Sequence, residues 1–342
     1  EDLQRRDFTV NAMAYNAEYG LVDPYGGKND LKDKIIRCVG NPDTRFNEDA
    51  LRILRALRFA SVYGFSIEEN TSKSIFKNAD LLKNIATERV ISEFLKLICG
   101  KDAVKILDAY RETIAVIIPE ITVMFNFNQN NIHHSYDLWQ HTLTALGTIE
   151  PNPILRMTML LHDIGKPSVK TTDNSGQSHF QGHQLESKKI ADRILHRLRL
   201  PSDFINKTLL LIEYHDVRFN GSKKLMKKVM NVLGTDLTKQ LLEVEYADIS
   251  AQSEYQREEK LGYLKTAKTH LNEIIKDNEC FKLSQLDIKG KDVLNLGVKE
   301  GRDVGNILDY LLMLVVDANV PNKKSILISK AKEYIYGNQI NK

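Results

Sequence analysis

Apolar residues recur at helical spacing along most of this chain, and the pattern is clearest at residues 48–60. On a helix that advances about 100° per residue, Arg52, Arg55 and Arg58 fall on one side. The positions on the other side are all apolar: Ala50, Ile53, Leu54, Ala56, Leu57 and Ala60. We therefore predict one amphipathic helix that packs an apolar face and presents a basic one.

Helical spacing continues from residue 47 to about residue 121, where Gly64 is predicted to end one helix and Thr71 to cap the next. The pattern of apolar residues is different at the beginning of the chain. There it predicts a helical stretch at 9–15 and short strands at 20–23 and 35–39. The polar run NFNQNN, which begins at residue 126, is typical of a linker. The fold class is therefore predicted to be mainly α, with a short α/β part at the start.

Composition and charge narrow the class of protein. The 342 residues are 42% hydrophobic and 27% charged, which suits a globular chain with two or three cores. A net charge of +3 is small, so nucleic-acid binding would depend on local clusters such as Lys223, Lys224, Lys227 and Lys228. The three cysteines are far apart, which argues against a disulfide framework. Without a signal peptide or a long apolar run, we predict a cytoplasmic protein with no membrane contact.

Three short motifs follow one another within the first sixty residues. They are RRDFTVNA at 5–12, DPYGG at 23–27 and EDALR at 48–52. Together they resemble the class II tRNA nucleotidyltransferases, which comprise the CCA-adding enzymes and the bacterial poly(A) polymerases. Three motifs in family order are a much more specific signal than one.

The resemblance implies nucleotide-binding roles for seven residues: Arg6, Asp7, Asn11, Asp49, Arg52, Arg55 and Arg58. The first three would hold ribose and phosphates, the next two would select CTP or ATP, and the last two would bind the triphosphate or the primer end. A carboxylate and a guanidinium one helical turn apart can present a fixed hydrogen-bonding edge to a flat base. The alternative is a solvated helix with an ordinary surface ion pair.

The family also carries a G-G-x-x-R-D loop and a D-x-D carboxylate pair before the first of these motifs. This sequence opens at Glu1 and reaches that motif by residue 5. Nucleotidyl transfer needs carboxylates that hold Mg²⁺, so the ligands for that ion are missing from the sequence. We therefore expect an amino-terminally truncated CCA-adding tRNA nucleotidyltransferase, with tRNA, CTP and ATP as partners, that does not transfer nucleotides by itself. A poly(A) polymerase, or an enzyme that adds only CC or only A, remains an alternative.

A second set of residues suggests a metal site. His141 is followed by His162 and Asp163 in LLHDIGK, and much later by Asp248 in ADISAQS. This order resembles the HD phosphohydrolase superfamily, an all-helical fold that uses a divalent transition metal. Lone histidines on apolar helices are usually core residues, but the two patterns together favour metal ligands. Whether His183 and His215 complete a second metal centre is left open.

The second set supplies a rival function, a metal-dependent HD phosphohydrolase that acts on phosphoester or cyclic-phosphate ends of RNA or nucleotides. The combined resemblance predicts four parts: the remnant of a nucleotidyltransferase head (1–45), a helical neck (46–125), an HD domain (126–255) and a helical tRNA-binding tail (256–342).

Two smaller expectations complete the sequence analysis. Residues 87–93, TERVISE, resemble the final family motif. We expect Glu88, Arg89 and Glu93 to brace the neck helices by ion pairs rather than to contact substrate. His133 and His134 are expected in the loop that leads into the HD domain. The oligomeric state is not predicted.

Overall fold

The computed structural model describes residues 2–131, 136–299 and 301–340, with side chains described as far as residue 337. His133 and His134 lie outside the described residues, so their assignment to a loop stays a prediction. Helices dominate the described chain and its sheets are small, which confirms the mainly α class. No helix among the described residues is long and apolar enough to cross a bilayer.

The chain forms two compact units. The first contains Glu1–Asp216 and Glu243–Arg257, and the second contains Val217–Leu242 and Glu258–Lys342. The finer division into head, neck, HD domain and tail stays a prediction.

The first unit begins with short strands around one helix. Antiparallel β1 and β2 precede α1, and β3 pairs in parallel with the later β4; their bounds are Ala14–Asn16 (β1), Gly20–Val22 (β2), Gly27–Asp33 (α1), Ile35–Ile36 (β3) and Ser66–Ile67 (β4). The predicted strands are present but shorter. The predicted helix at 9–15 is wrong, because only Thr9–Asn11 forms a 3-10 turn and the residues after it pair as β1.

The DPYGG motif shapes the start of α1. The carboxylate of Asp23 accepts hydrogen bonds from the backbone N–H groups of Gly27 (2.7 Å) and Lys28 (2.9 Å), which caps the helix. A Cβ atom at Gly27 would lie 2.1 Å from the carbonyl oxygen of Thr9. Only glycine therefore allows the motif to pack against the turn that follows the RRDFT sequence.

The part of the chain predicted to be the neck, for which that name is kept below, contains six α-helices: α2 (Pro42–Glu48), α3 (Leu51–Tyr63), α4 (Glu69–Asn78), α5 (Thr87–Ile98), α6 (Ala103–Ala109) and α7 (Arg111–Ala115). The apolar face predicted for α3 is confirmed, since Ile53, Leu54 and Leu57 are fully buried. Gly64 ends α3 in the left-handed conformation, as predicted. Thr71, however, lies within α4, whose cap is the carboxylate of Glu68.

The prediction of a single helix over residues 48–60 is wrong. The chain breaks at Asp49, whose backbone is extended with φ −152°. Its carboxylate accepts the backbone N–H of Leu51 at 3.1 Å. Asp49 thus ends α2 and caps α3, which is a common role for aspartate and removes the regular spacing between the two segments.

The remainder of the first unit packs behind the neck. It contains α8 (Leu138–Thr148), α9 (Pro153–Leu161), α10 (Lys166–Val169), the strand pair β5 (Thr171–Thr172) and β6 (Ser178–His179), α11 (His183–Arg197) and α12 (Ser202–Tyr214). The next helix, α13 (Lys223–Ser250), has a non-helical break at Gly234, and its residues from 243 onwards belong to the first unit. Arg197 connects α11 to the neck by donating to the carboxylate of Glu120 and to the carbonyl of Ile117.

The second unit is a helical body with its own core. Its further helices are α14 (Arg257–Lys276), whose first residue belongs to the first unit, α15 (Gly290–Leu294), α16 (Arg302–Val316) and α17 (Lys324–Ile340). Val293, Leu311 and Leu327 are fully buried between them.

The lysine cluster that was considered for nucleic-acid binding lies in the second unit. Lys223 and Lys227 both form ion pairs with Glu279, and Lys224 and Lys228 both lie 3.1 Å from the carboxylate of Asp317. Much of the cluster's charge is therefore compensated within the unit.

Candidate nucleotide site and candidate metal centre

The first candidate site centres on the buried carboxylate of Asp7, which is 6% exposed. Its Oδ1 accepts from the amide of Asn11 at 2.7 Å, and its Oδ2 accepts from Nε of Arg55 at 2.6 Å. A buried carboxylate needs such partners, because an unpaired one is costly. The structure therefore joins two residues of the RRDFTVNA motif to an arginine of α3, three positions after the EDALR motif.

Arg52 provides a second connection between the same motifs. Its guanidinium donates to the Glu48 carboxylate (2.7 Å), to the Arg45 carbonyl (3.2 Å) and to the Arg5 carbonyl (2.9 Å). Arg6 is largely exposed and pairs with Asp2 at 2.9 Å. The fork of Arg52 thus holds the RRDFT turn against the junction of α2 and α3.

Asp49 and Arg52 have separate partners among the described residues. The Asp49 carboxylate accepts from Arg89 of α5 at 2.8 Å, in addition to the N–H of Leu51. The sequence identified Arg89 as part of a family motif, but it did not reveal that this residue contacts Asp49. The side chains of Asp49 and Arg89 line an open cavity of about 380 Å³ between the α2–α3 junction and α5. Its volume is within the range of small-molecule sites.

Arg58 packs within the neck. Its Nε lies 2.9 Å from the carboxylate of Glu93, and its guanidinium lies over the ring of Phe59 at 4.3 Å. Glu93 is buried and belongs to α5, so this ion pair joins α3 to α5. The three residues expected to brace the neck all form ion pairs: Glu88 with Arg199, Arg89 with Asp49 and Glu93 with Arg58. The role of Arg58 at a triphosphate or primer end stays a prediction.

The second candidate site contains the four predicted HD residues. His141 lies on α8, His162 and Asp163 directly follow α9, and Asp248 lies on α13. One ligand atom from each lies within 4.8 Å of the others. Three of the side chains are fully buried or nearly so, and Asp248 is 15% exposed. The four side chains are therefore almost entirely enclosed by protein.

A second group of potential ligands shares Asp163. Nε2 of His183 lies 3.3 Å from Oδ1 of Asp163, and Nε2 of His215 lies 3.5 Å from the same oxygen. The other oxygen, Oδ2, faces His141 and His162 at 3.4 and 3.2 Å. A carboxylate with one oxygen toward each group is arranged to bridge two cations.

Hydrogen bonds orient the four imidazole rings in the same way. In each ring Nδ1 lies within 3.3 Å of a backbone carbonyl that can accept its proton, and Nε2 faces the centre of the site. The carbonyls belong to Ala251 for His141, Met159 for His162, Phe180 for His183 and Ile212 for His215. When Nδ1 donates to its carbonyl, Nε2 is the ring atom that is directed at a metal ion in the centre.

The electrostatics of the centre favour a bound cation. Burial lowers the pKa of His162, but the neighbouring carboxylates of Asp163 and Asp248 together outweigh it and raise that pKa to about 10. Burial raises the pKa of Asp163, yet His162 and Lys166 together hold it well below its usual value. Nε2 of His162 and both carboxylate oxygens of Asp163 are buried, and among the described residues they make no well-aligned hydrogen bond. The donor set therefore fits a divalent ion.

Lys166 lies directly beside this centre. Its Nζ is 2.6 Å from Oδ2 of Asp163 and donates to the side-chain carbonyl of Gln129 at 3.1 Å. The ammonium therefore holds one oxygen of the Asp163 carboxylate in place.

Three protein-family models match successive parts of the chain. The poly(A) polymerase head domain matches residues 1–37, the "probable RNA and SrmB-binding site of polymerase A" matches residues 64–125, and the tRNA nucleotidyltransferase domain 2 matches residues 183–331.

The individual proteins to which the chain is similar include CCA-adding enzymes. The chain is 33% identical to the multifunctional CCA protein of Legionella pneumophila (strain Paris) over 67% of this chain and 59% of that protein. It is 29% identical to the CCA-adding enzyme of Ligilactobacillus salivarius over 98% of this chain and 72% of that enzyme. Its fold is similar to that of the Bacillus stearothermophilus CCA-adding enzyme solved with CTP, with a TM-score of 0.71, 24% identity and coverage of 100% of this chain and 76% of that one.

These matches extend from the first motif to the second unit. The chain belongs to the tRNA nucleotidyltransferase and poly(A) polymerase family. Within that family it is similar to the CCA-adding enzymes. It spans 59% of the length of the Legionella protein.

The ion pair between Arg58 and Glu93 generates a stability prediction. Arg58→Ala leaves the buried Glu93 carboxylate without this partner, so we expect a loss of roughly 2 kcal/mol in the free energy of unfolding. Chemical denaturation followed by circular dichroism measures the change. The control is Arg199→Ala, because Arg199 pairs with Glu88 at an exposed position and its loss should change the stability much less. Equal effects of the two variants would contradict a bracing role for Arg58.

Proposed function

We propose that this chain serves tRNA 3′-end CCA addition, by selecting CTP and ATP and by holding the tRNA end. The observation that carries the proposal is that two arginines of α3 donate hydrogen bonds to the RRDFTVNA motif. Asp7 is joined to Arg55, and the Arg5 carbonyl is joined to Arg52. The RRDFT turn and the residues around the α2–α3 junction therefore form one polar surface, as a site for a complete nucleotide requires.

In this proposal, the two motifs divide the recognition of the nucleotide. Arg6 and Arg55 bind phosphates as cations, while Asp7 and Asn11 position Arg55 and the ribose. Asp49 accepts a hydrogen bond from the exocyclic amino group that cytosine and adenine share. Arg52 donates to the adjacent ring nitrogen of the base. Uracil and guanine present a carbonyl and a ring N–H at that edge, so they leave the protein groups unpaired.

The proposed reaction is attack of the tRNA 3′ hydroxyl on the α-phosphate, with loss of pyrophosphate. When bound, Mg²⁺ neutralises the developing charge in such transfers. No D-x-D pair precedes Arg6 in this sequence. The residues present therefore do not fit this ion, and we assign none of them as its ligand.

The polypeptide of 342 residues is accordingly expected not to extend tRNA by itself. The measurement is incubation with tRNA that lacks CCA, together with Mg²⁺, CTP and ATP, followed by electrophoresis of the RNA. A tRNA already ending in CCA serves as the control substrate. Extension above a reaction without protein would contradict the expectation and would require other residues to bind the ion.

Nucleotide selection can be tested by binding, which does not require the transfer step. Asp49→Ala removes the acceptor for the amino group, so we expect the preference for CTP over UTP to fall by roughly tenfold or more. Arg58→Ala, proposed to contact phosphate or primer, should change the affinities for both nucleotides by the same factor. Equilibrium dialysis with labelled nucleotides gives the two dissociation constants. If Asp49→Ala keeps the wild-type ratio, Asp49 caps a helix and does not read the base.

We propose as a second function that the HD residues form a two-ion centre that hydrolyses phosphoesters. The specific observation is the contact between His183 and His215, whose Nε2 atoms lie 3.1 Å apart. Both rings direct Nδ1 to a carbonyl, so the two Nε2 atoms can either share one proton or bind the same cation. Phosphoester or cyclic-phosphate ends of RNA or nucleotides are the proposed substrates.

The chain's own residues have defined tasks in this proposal. His141, His162 and Asp248 hold one ion, His183 and His215 hold the other, and Asp163 bridges them. Imidazole nitrogen favours manganese, cobalt, nickel or zinc over magnesium. When bound, such an ion stabilises the negative charge that develops on the phosphoester. Lys166 keeps the bridging carboxylate in place and adds a positive charge beside it.

Metal content and hydrolysis together test this function. After metal loading and dialysis, we expect about two ions per chain, close to none in Asp163→Ala, and about one in His183→Ala. His196→Ala is the control, since His196 is exposed and lies outside both ligand groups. Inductively coupled plasma spectrometry measures the metal.

Hydrolysis of 2′,3′-cyclic AMP and p-nitrophenyl phosphate is followed after chelation and after metal is added back. Activity should return with a transition metal in the wild type and in His196→Ala, but not in Asp163→Ala. If His162→Ala and Asp163→Ala retain the wild-type metal content, the cluster is structural.

A further inference from the structure

The contact between Arg89 and Asp49 bears directly on how a base could be selected. Asp49 has one protein donor on each carboxylate oxygen: the backbone N–H of Leu51 on Oδ1 at 3.1 Å, and Nη2 of Arg89 on Oδ2 at 2.8 Å. A carboxylate that is bound at only one oxygen can rotate about its terminal torsion, which is a broad and soft one. With both oxygens bound, the plane of the carboxylate is fixed.

This arrangement leaves acceptor capacity for a ligand. Each carboxylate oxygen offers about two lone-pair sites, so each oxygen of Asp49 can accept one further hydrogen bond. The Asp49 side chain is 33% exposed and that of Arg89 is 53% exposed. Both line the same cavity, together with Asn47 and Asn84. A small polar group can therefore reach the carboxylate while Arg89 stays in place.

The helix that carries Arg89 is held on several sides. Phe94 and Leu97 are fully buried in the core of the first unit, and α5 packs along α3. Glu93 is paired with Arg58 of α3, and Glu88 is paired with Arg199. Because the buried side chains of α5 and the Glu93–Arg58 pair hold this helix against α3, the guanidinium comes from a backbone that is fixed relative to α3. That rigidity is what a positioning group requires.

We propose that Arg89 is a positioning residue for nucleotide selection. It orients the Asp49 carboxylate so that a remaining lone pair meets the exocyclic amino group of cytosine or adenine. Arg89 contacts Asp49 and need not contact the base. This inference rests on the base-reading role proposed for Asp49. It adds an explanation for the selectivity: a carboxylate held in one orientation accepts a hydrogen bond only from a base whose donor lies in the matching direction.

The test compares two Arg89 variants with a control on the same helix. Arg89→Met keeps most of the aliphatic stem and removes the donor, and Arg89→Lys restores one donor without the planar fork. The control is Glu88→Gln, which weakens the neighbouring ion pair with Arg199 and leaves Asp49 untouched. Equilibrium dialysis gives the dissociation constants for CTP and UTP, and thermal unfolding gives the stability of each variant.

We expect the CTP over UTP preference to fall by roughly fivefold in Arg89→Met, as suits a partly exposed charged pair. The loss should come from weaker CTP binding, with UTP binding unchanged, and Arg89→Lys should recover part of it. Glu88→Gln should match the wild type. Adding Arg89→Met to Asp49→Ala should cause no further loss of preference, because the two residues act through one carboxylate.

Two results would overturn the inference alone. The first is that Arg89→Met keeps the wild-type preference for CTP over UTP while Asp49→Ala loses it. The other is tighter CTP binding in Arg89→Met, because Arg89 would then obstruct Asp49. A wild-type chain that binds CTP and UTP equally would instead overturn the base-reading proposal, and this inference with it.

Discussion

The packing of α3 against α5 is the contact on which the candidate nucleotide site depends. The apolar face of α3 is buried, so its arginines must lie at the edges of the contact or beyond it. Each arginine then connects a different part of the first unit. Arg52 binds the RRDFT backbone, Arg55 binds Asp7, and Arg58 binds Glu93 of α5. One hydrophobic interface therefore determines the geometry of three charged contacts.

Burial imposes the same requirement on both candidate sites. A carboxylate removed from water must be paired with a cation or with several donors. Asp7 meets this condition through Arg55 and Asn11, so its partners belong entirely to the protein. Asp163 has Lys166 beside it, yet its oxygens also face the Nε2 atoms of four imidazole rings. The first arrangement is complete without a ligand, whereas the second fits divalent ions.

Several features could be predicted because they depend on neighbours along the chain. The apolar face of α3 follows from helical periodicity, and the end of α3 follows from the ability of Gly64 to adopt a positive φ. The break in the helix at Asp49 could not be predicted from residue spacing. Aspartate caps a helix or continues it according to whether its carboxylate bonds to the backbone ahead. The short strand that replaced the predicted helix forms only because its partner strand lies beside it.

The sequence by itself determined the fold class, the family motifs and the identity of the metal-ligating candidates, since each is a matter of residue type and local spacing. Tertiary structure alone decided which side chains meet. It paired Asp49 with Arg89 rather than with Arg52 and brought His183 and His215 together beside one Asp163 oxygen. The physical reason is that periodicity orients a residue on its own helix. Contact between helices depends on how their buried faces pack, and that packing involves residues far apart in the chain.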